Sequence, residues 1–184
     1  MLPPNLFDAK VVYVARDPRD AAVSFYHHNR LIRNHNYIGD FKTYWNLFKD
    51  DLIMFTPYFA HIKEAWAKRQ HPNMLFLFYE DIIRDLPGAI RQVATFLGKQ
   101  ITDEQVHKLA EHLKFDNFKN NTSVNLKNLE IAGILNKGEQ PFIRKGKSGA
   151  WQEYFDEEMT AQAEEWIKHN SKQTDGIILP SSRY

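Results

Sequence analysis

The sequence predicts an α/β fold with a central parallel β-sheet flanked by helices. Two short apolar runs, residues 10–15 and Met74–Phe78, have the length of strands. Neither alternates strictly between apolar and polar, as expected of strands buried on both faces. Segments with helical spacing lie between and after them, and strands alternating with helices build a covered parallel sheet. At 184 residues the chain makes one domain, or most of one, and can bury a core.

The elements follow in order. After the first strand, Asp17 suits an N-cap, Pro18 the first helical position and Asp20 the third, so a helix is predicted to about Asn29–Ile32. Residues 40–50 and 57–69 carry two more helical patterns. In the second, Pro57 opens the helix, and Tyr58, Phe59, Ile62, Ala65 and Trp66 fall on one face. Pro72-Asn73 breaks the chain before the second strand, which is predicted to end at Tyr79-Glu80-Asp81. Leu86 to Leu97 is amphipathic, and Gly98 is placed to end it. Thr102 and Gln105 stand at capping-box spacing for a helix to about His112. From Phe115 to Gln140 the periodicity fades, and a long, mobile loop is predicted. A last helix spans about Asp156 to His169, with a polar tail.

Composition excludes several function classes. A net charge of +1 offers no global attraction for nucleic acid or an anionic membrane, so any anion site is local. No cysteine is present, which excludes disulfides and thiolate–metal sites and fits a reducing compartment. No apolar run approaches the roughly 20 residues of a membrane span. No cationic segment followed by an apolar one opens the chain as a secretory signal would. Met1-Leu2-Pro3-Pro4-Asn5 leads almost at once into a strand that looks central. Few α/β domains open this way, and N-terminal sequence is expected to be missing.

Two basic segments far apart in the chain carry the chemistry. The first strand ends in Arg16-Asp17-Pro18-Arg19-Asp20, followed by Ala21-Ala22-Val23-Ser24-Phe25-Tyr26. Arg16 leaves the carboxyl end of the strand, where open α/β sheets bind ligands, and a guanidinium grips two phosphate oxygens at once. The helix start adds free N–H groups and a positive dipole. Ser24 lies about two turns on and reaches the same anion if that anion sits beside the helix. The plainer alternative stays open: Arg16 pairs with Asp17 or Asp20, and Ser24 is a small helix residue. Arg19 reads as a solvated charge.

The second segment is Phe142-Ile143-Arg144-Lys145-Gly146-Lys147-Ser148-Gly149-Ala150-Trp151. Two cations precede a glycine that can take positive φ, and Gly149 repeats that freedom. Such a loop turns N–H groups around an anion while Arg144 clamps it. Phe142 and Trp151 bracket it as apolar anchors. A solvated surface turn is the alternative.

Taken together, the segments resemble the cytosolic sulfotransferases. Arg16 to His27 looks like that family's 3′-phosphate-binding segment. Residues 142–151 look like its Arg-Lys-Gly-x-x-Gly-Asp-Trp signature, and Leu77-Phe78-Tyr79-Glu80-Asp81 is similar to its Leu-x-Tyr-Glu-Asp strand end. The resemblance implies a P-loop-like sulfotransferase fold. It also implies binding of 3′-phosphoadenosine 5′-phosphosulfate (PAPS) and transfer of a sulfuryl group to a hydroxyl or amine of a small molecule. By matching position, Arg16 and Ser24 bind the 3′-phosphate, and Arg144, Lys145 and Gly146 bind it from the other side. Phe142 and Ile143 help to shape the pocket, Tyr79 faces the adenine, and Phe115 stacks on it. A Tyr at a strand end with its hydroxyl wet is the alternative for Tyr79.

Departures from the pattern are informative. Leu113 and Lys114 stand where the family has Thr and Ser, and Ala150 replaces its Asp. Gln152, Asp156-Glu157 and Ala161 replace its dimer signature, so a homodimer is compatible with the sequence but unsupported by that motif. The family's first nucleotide-binding loop with its catalytic Lys, and its His-Leu-Pro segment with the catalytic His, do not occur here. The chain is therefore expected to be the C-terminal part of a sulfotransferase domain over residues 1–184, with an N-terminal part missing and no catalytic residue of its own. Ser24 would serve as a modulator of the catalytic Lys. The intact protein would be catalytic and these residues alone inert.

His27 and His28 read as structural or substrate-facing. His107 and His112 diverge on a helix, so no metal is expected. The expected acceptor is a phenol, alcohol or terpenoid-like small molecule, shaped by the 115–140 segment and the region around Tyr37–Tyr58. The expected location is cytoplasmic, without nucleic-acid or membrane partners. Two alternatives remain: a non-catalytic 3′-phosphonucleotide-binding module, and a retinol dehydratase-like activity, since some insect relatives dehydrate retinoid alcohols through the same nucleotide.

Overall fold

A computed structural model describes residues 2–3, 5–172, 174 and 177–180. Strand β1 (Val11–Ala15) and strand β2 (Met74–Phe78) pair in parallel, with Val11 opposite Met74 and Ala15 opposite Phe78. The central parallel sheet is therefore two-stranded among the described residues. Nor is β1 buried on both faces. Val12 and Val14 are 41% and 47% exposed, so the pleat turns one side of β1 to solvent.

Helix α1 (Pro18–Leu31) begins as its sequence dictates: the Asp17 carboxylate accepts from the Arg19 N–H at 2.8 Å, with Pro18 first in the helix. Helices α2 (Phe41–Lys49) and α3 (Tyr58–Ala67) follow. Asp40 caps α2 by accepting from the Thr43 N–H at 2.8 Å. After β2 the chain turns directly into α4 (Tyr79–Arg84), so Tyr79-Glu80-Asp81 opens a helix rather than ending a strand. Helix α5 is Leu86–Phe96, and α6 (Asp103–His112) carries the expected Thr102–Gln105 capping box.

The predicted loop from 115 to 140 instead holds α7 (Phe115–Lys119) and α8 (Lys127–Ile131). Both are single turns, too short to leave a 3.6-residue signature. The segment after them is strapped to the end of α1. Ile32 bridges Leu135, the Asn136 N–H donates to Leu31 O at 2.8 Å, and Arg30 makes two 2.9 Å bonds to Glu139. A short 3₁₀ turn (Ala150–Glu153) precedes α9 (Glu157–Lys172).

Two apolar clusters hold these parts. One joins the sheet to α3 and α9 through Ala15, Phe59, Ile62, Phe78 and Ile167. The other seats α1 on α2 and α9 through Val23, Trp45, Phe48, Phe155 and Met159, and Trp166 packs against both. The opening residues are also tied in. The Leu2 N–H donates to Glu64 at 2.7 Å, Asn73 Nδ2 donates to Phe7 O at 2.9 Å, and Phe7 stacks on His71. None of the described helices is long and apolar enough to cross a membrane.

Candidate functional site

The parallel register places Arg16 and Tyr79 side by side, each one residue past the end of its strand. The Arg16 guanidinium lies 4.5 Å from the centre of the Tyr79 ring, and its Nη2 donates to Lys147 O at 3.1 Å. Its Nε is buried without a protein partner. The backbone beneath is fixed twice: Tyr58 donates to Arg16 O at 2.7 Å, and Glu80 accepts from the Asp17 N–H at 2.8 Å. The Glu80 carboxyl is itself buried, and burial raises its pKa.

The acidic residues of the first motif are engaged elsewhere. Asp17 binds Arg19 through both oxygens, at 3.0 and 2.7 Å, and the Arg19 guanidinium stacks 3.9 Å from the Trp151 ring. Arg19 is thus a buried structural cation, not a solvated charge. Asp20 is 2% exposed and accepts from Ser148 Oγ at 3.2 Å, from the Gly149 N–H at 2.7 Å and from the Trp151 N–H at 3.0 Å. One carboxylate therefore clamps the second basic segment to the start of α1. Arg16 pairs with neither Asp17 nor Asp20 in these contacts and faces a cavity.

That cavity has a volume of about 1290 Å³, and its wall includes Arg16 and Ser24 from the first segment and Phe142 to Lys147 from the second. Tyr79 and Phe115 line it as well. All nine residues that the sequence points to are thus brought to one space. Phe142 is less of an anchor than its position suggests: it is 48% exposed, with its ring edge toward His28. Lys145 is ion-paired to Glu153, while Arg144 donates to the Tyr154 hydroxyl at 3.3 Å.

Gly146 is needed twice over. Its φ is 61°, and a Cβ there would lie 2.3 Å from Cδ2 of Phe115. Close approach at Gly146 is what seats the Phe115 ring against the basic loop. Gly133 has a similar φ of 70° but open space around it. Gly146→Ala should therefore cost the left-handed penalty, about 1 kcal/mol, plus the displacement of Phe115, for a total of roughly 2 kcal/mol. Gly133→Ala should cost the backbone part alone. Denaturant unfolding of the two variants separates the terms.

His27, on the same wall, bonds through Nε2 to the Tyr154 hydroxyl at 2.7 Å. Burial first, and then the charge of Arg144, lower its pKa from 6.5 to about 4. The folded protein therefore resists protonating His27, whereas the unfolded chain takes the proton near its ordinary value. Stability due to this group is full above about pH 6.5 and is lost as the pH falls toward about 4. His28 and His61 are also lowered by burial and add to the slope. His27→Gln should flatten part of the fall in melting temperature between pH 7 and pH 5, to an extent limited by the ring's partial solvation.

Asp20 and Tyr154 are the residues that the motifs did not flag. Each acts through backbone or side-chain contacts made across the chain, and no local spacing signals them. Among the described residues, no group of three or more His, Cys, Asp or Glu is placed to hold a metal ion.

Comparisons with known proteins bear on this geometry. A family model described as the sulfotransferase domain matches residues 1–175. The chain is 36% identical to luciferin sulfotransferase of Photinus pyralis over 174 residues, covering 93% of this chain and 46% of that protein. It superposes on a crystal structure of retinol dehydratase with androsterone and the inactive cofactor PAP at a TM-score of 0.91 and 56% identity, over 98% of this chain and 52% of the other. A retinol dehydratase complex with retinol and PAP gives a TM-score of 0.90 and 57% identity, over 96% and 52%. The chain spans about half the length of these relatives. The expectation that the sulfotransferase fold is present only in part is corrected by two findings. The domain match starts at residue 1, and the sulfotransferase-like α/β fold covers nearly the whole chain.

Proposed function

Because the chain belongs to the sulfotransferase domain family, we propose that its cavity holds PAPS and the product adenosine 3′,5′-bisphosphate, and that it serves sulfuryl transfer to a small-molecule hydroxyl or amine. The observation that carries this reading is the meeting of Arg16, Ser24 and the Arg144–Gly146 loop around one cavity. A phosphate on the ribose fits there. The buried Arg16 Nε lacks a protein partner, and two positive-φ glycines bend the loop around its cations. Retinol dehydratase, more than half identical, was solved with PAP bound.

The nucleotide supplies the sulfuryl group; this chain's residues grip and orient it. Arg16, Ser24, Arg144, Lys145 and Gly146 hold the 3′-phosphate. Tyr79 and Phe115 offer ring faces to the adenine, a contact worth roughly 1–3 kcal/mol per base. Phe142 and Ile143 shape the rim. No Lys-Ser-Gly-Thr-type loop or His-Leu-Pro segment occurs in the 184 residues, so we assign no catalytic residue to them and give Ser24 a modulating role. Sulfuryl transfer needs charge stabilisation on the leaving phosphate and a base for the acceptor's proton. The chain alone should bind nucleotide without turnover.

The acceptor is a phenol, alcohol or terpenoid-like molecule. Phe25, His28, Phe55 and Phe142 line an apolar part of the same cavity, which suits such a body. Identity of 56–57% to retinol dehydratase favours a second reading, dehydration of a retinoid-type alcohol through the same nucleotide. Product analysis separates a sulfate ester from loss of water. The nucleotide reading is tested by titrating the chain with adenosine 3′,5′-bisphosphate and with adenosine 5′-monophosphate. The bisphosphate should bind about tenfold tighter or more, as expected for charge-assisted bonds to its extra phosphate. Equal affinity would refute the reading.

A further inference from the structure

Tyr154 stands outside the cavity wall, just past the 3₁₀ turn Ala150–Glu153. Its hydroxyl meets two residues that do line the cavity, from elements far apart in the chain. Arg144 Nη1 donates to it at 3.3 Å, and His27 Nε2 lies 2.7 Å away. The inventory of protons fixes the direction of the first of these bonds. A guanidinium can only donate, so the Tyr154 oxygen accepts from Arg144. A neutral His27 partners the same hydroxyl through Nε2, as acceptor in one ring tautomer and as donor in the other. The low pKa of His27, about 4, keeps that ring neutral at ordinary pH.

We propose that Tyr154 is a positioning residue of the nucleotide clamp: its hydroxyl fixes the Arg144 guanidinium against the cavity and ties it to His27 on α1. The proposal rests on the nucleotide reading above. Arg144 is a long side chain, and holding its fork in place removes part of the ordering cost of gripping a phosphate. Lys145 has its own anchor in Glu153, so Arg144 is the cation of the loop whose aim this hydroxyl sets. The Tyr154 ring also packs edge-on against Phe41 at 5.2 Å and His27 at 5.5 Å. Removing the oxygen alone leaves that packing in place.

The test is a double-mutant cycle on the full chain, with wild type, Tyr154→Phe, Arg144→Ala and the double variant. Each is titrated with adenosine 3′,5′-bisphosphate and adenosine 5′-monophosphate. Tyr154→Phe should weaken bisphosphate binding about three- to tenfold, the scale of one neutral-partner hydrogen bond. It should leave the monophosphate unchanged and have no further effect once Arg144 is gone. A merely structural tyrosine would weaken both ligands alike. Equal losses in both backgrounds, or no loss in either, would overturn the proposal while the nucleotide reading stands. A wild type that does not prefer the bisphosphate would overturn the reading and the proposal together.

Discussion

Arg144→Ala is expected to weaken binding of adenosine 3′,5′-bisphosphate by about 2–3 kcal/mol, roughly 30- to 150-fold, with adenosine 5′-monophosphate unaffected. The reason is geometric. Arg144 lines the cavity, and its contacts are to Tyr154: a 3.3 Å bond to the hydroxyl, with the ring centre 5.9 Å from the guanidinium. Its fork is otherwise available to two oxygens of a phosphate, where charge-assisted bonds are strongest. Lys145 already carries a carboxylate partner in Glu153, so its removal should matter less. The fold should hardly notice the loss of Arg144, and the melting temperature of the variant checks that binding, rather than folding, has changed. Calorimetric titration of both nucleotides reads the effect.

Asp20→Ala is expected to produce the largest loss of stability. The carboxylate is buried and accepts three bonds from the basic loop, two of them from backbone N–H groups. Alanine would strand those donors away from water, at roughly 1–3 kcal/mol each, with partial relief as water enters. It would also remove a negative charge from the first turn of α1. A net cost of about 3–4 kcal/mol is expected, a fall in melting temperature of roughly 6–16 °C for a chain this size. Nucleotide binding should fall with it, because the loop carrying Arg144 loses its tether. Thermal unfolding at fixed pH measures the first effect. A shift of less than a few degrees would mean that the loop is held by something else.

The ease of reading each part tracked how local its cause is. The helix starts at Pro18 and Asp103 were legible because their caps sit within three residues of them. The strands were legible from apolar composition, but their burial was not. Val12 and Val14 look like core residues in a list of letters and still face solvent in the described fold. The short helices at Phe115–Lys119 and Lys127–Ile131 hold too few residues to display a period. Among charged residues, motifs name Arg16 and Arg144, and both line the cavity. Arg19 was misread as solvated because its partners are a carboxylate two residues back and a tryptophan from the far loop. The role of Asp20 rests on bonds to residues 148, 149 and 151, a long-range fact that no spacing rule carries.

The most direct measurement is a crystal structure of this chain grown with adenosine 3′,5′-bisphosphate. The account predicts the 3′-phosphate within hydrogen-bond distance of both the Arg16 and the Arg144 guanidinium groups, with Ser24 beside it. A nucleotide whose 3′-phosphate touches neither arginine, or only one with the other turned to solvent, would contradict it.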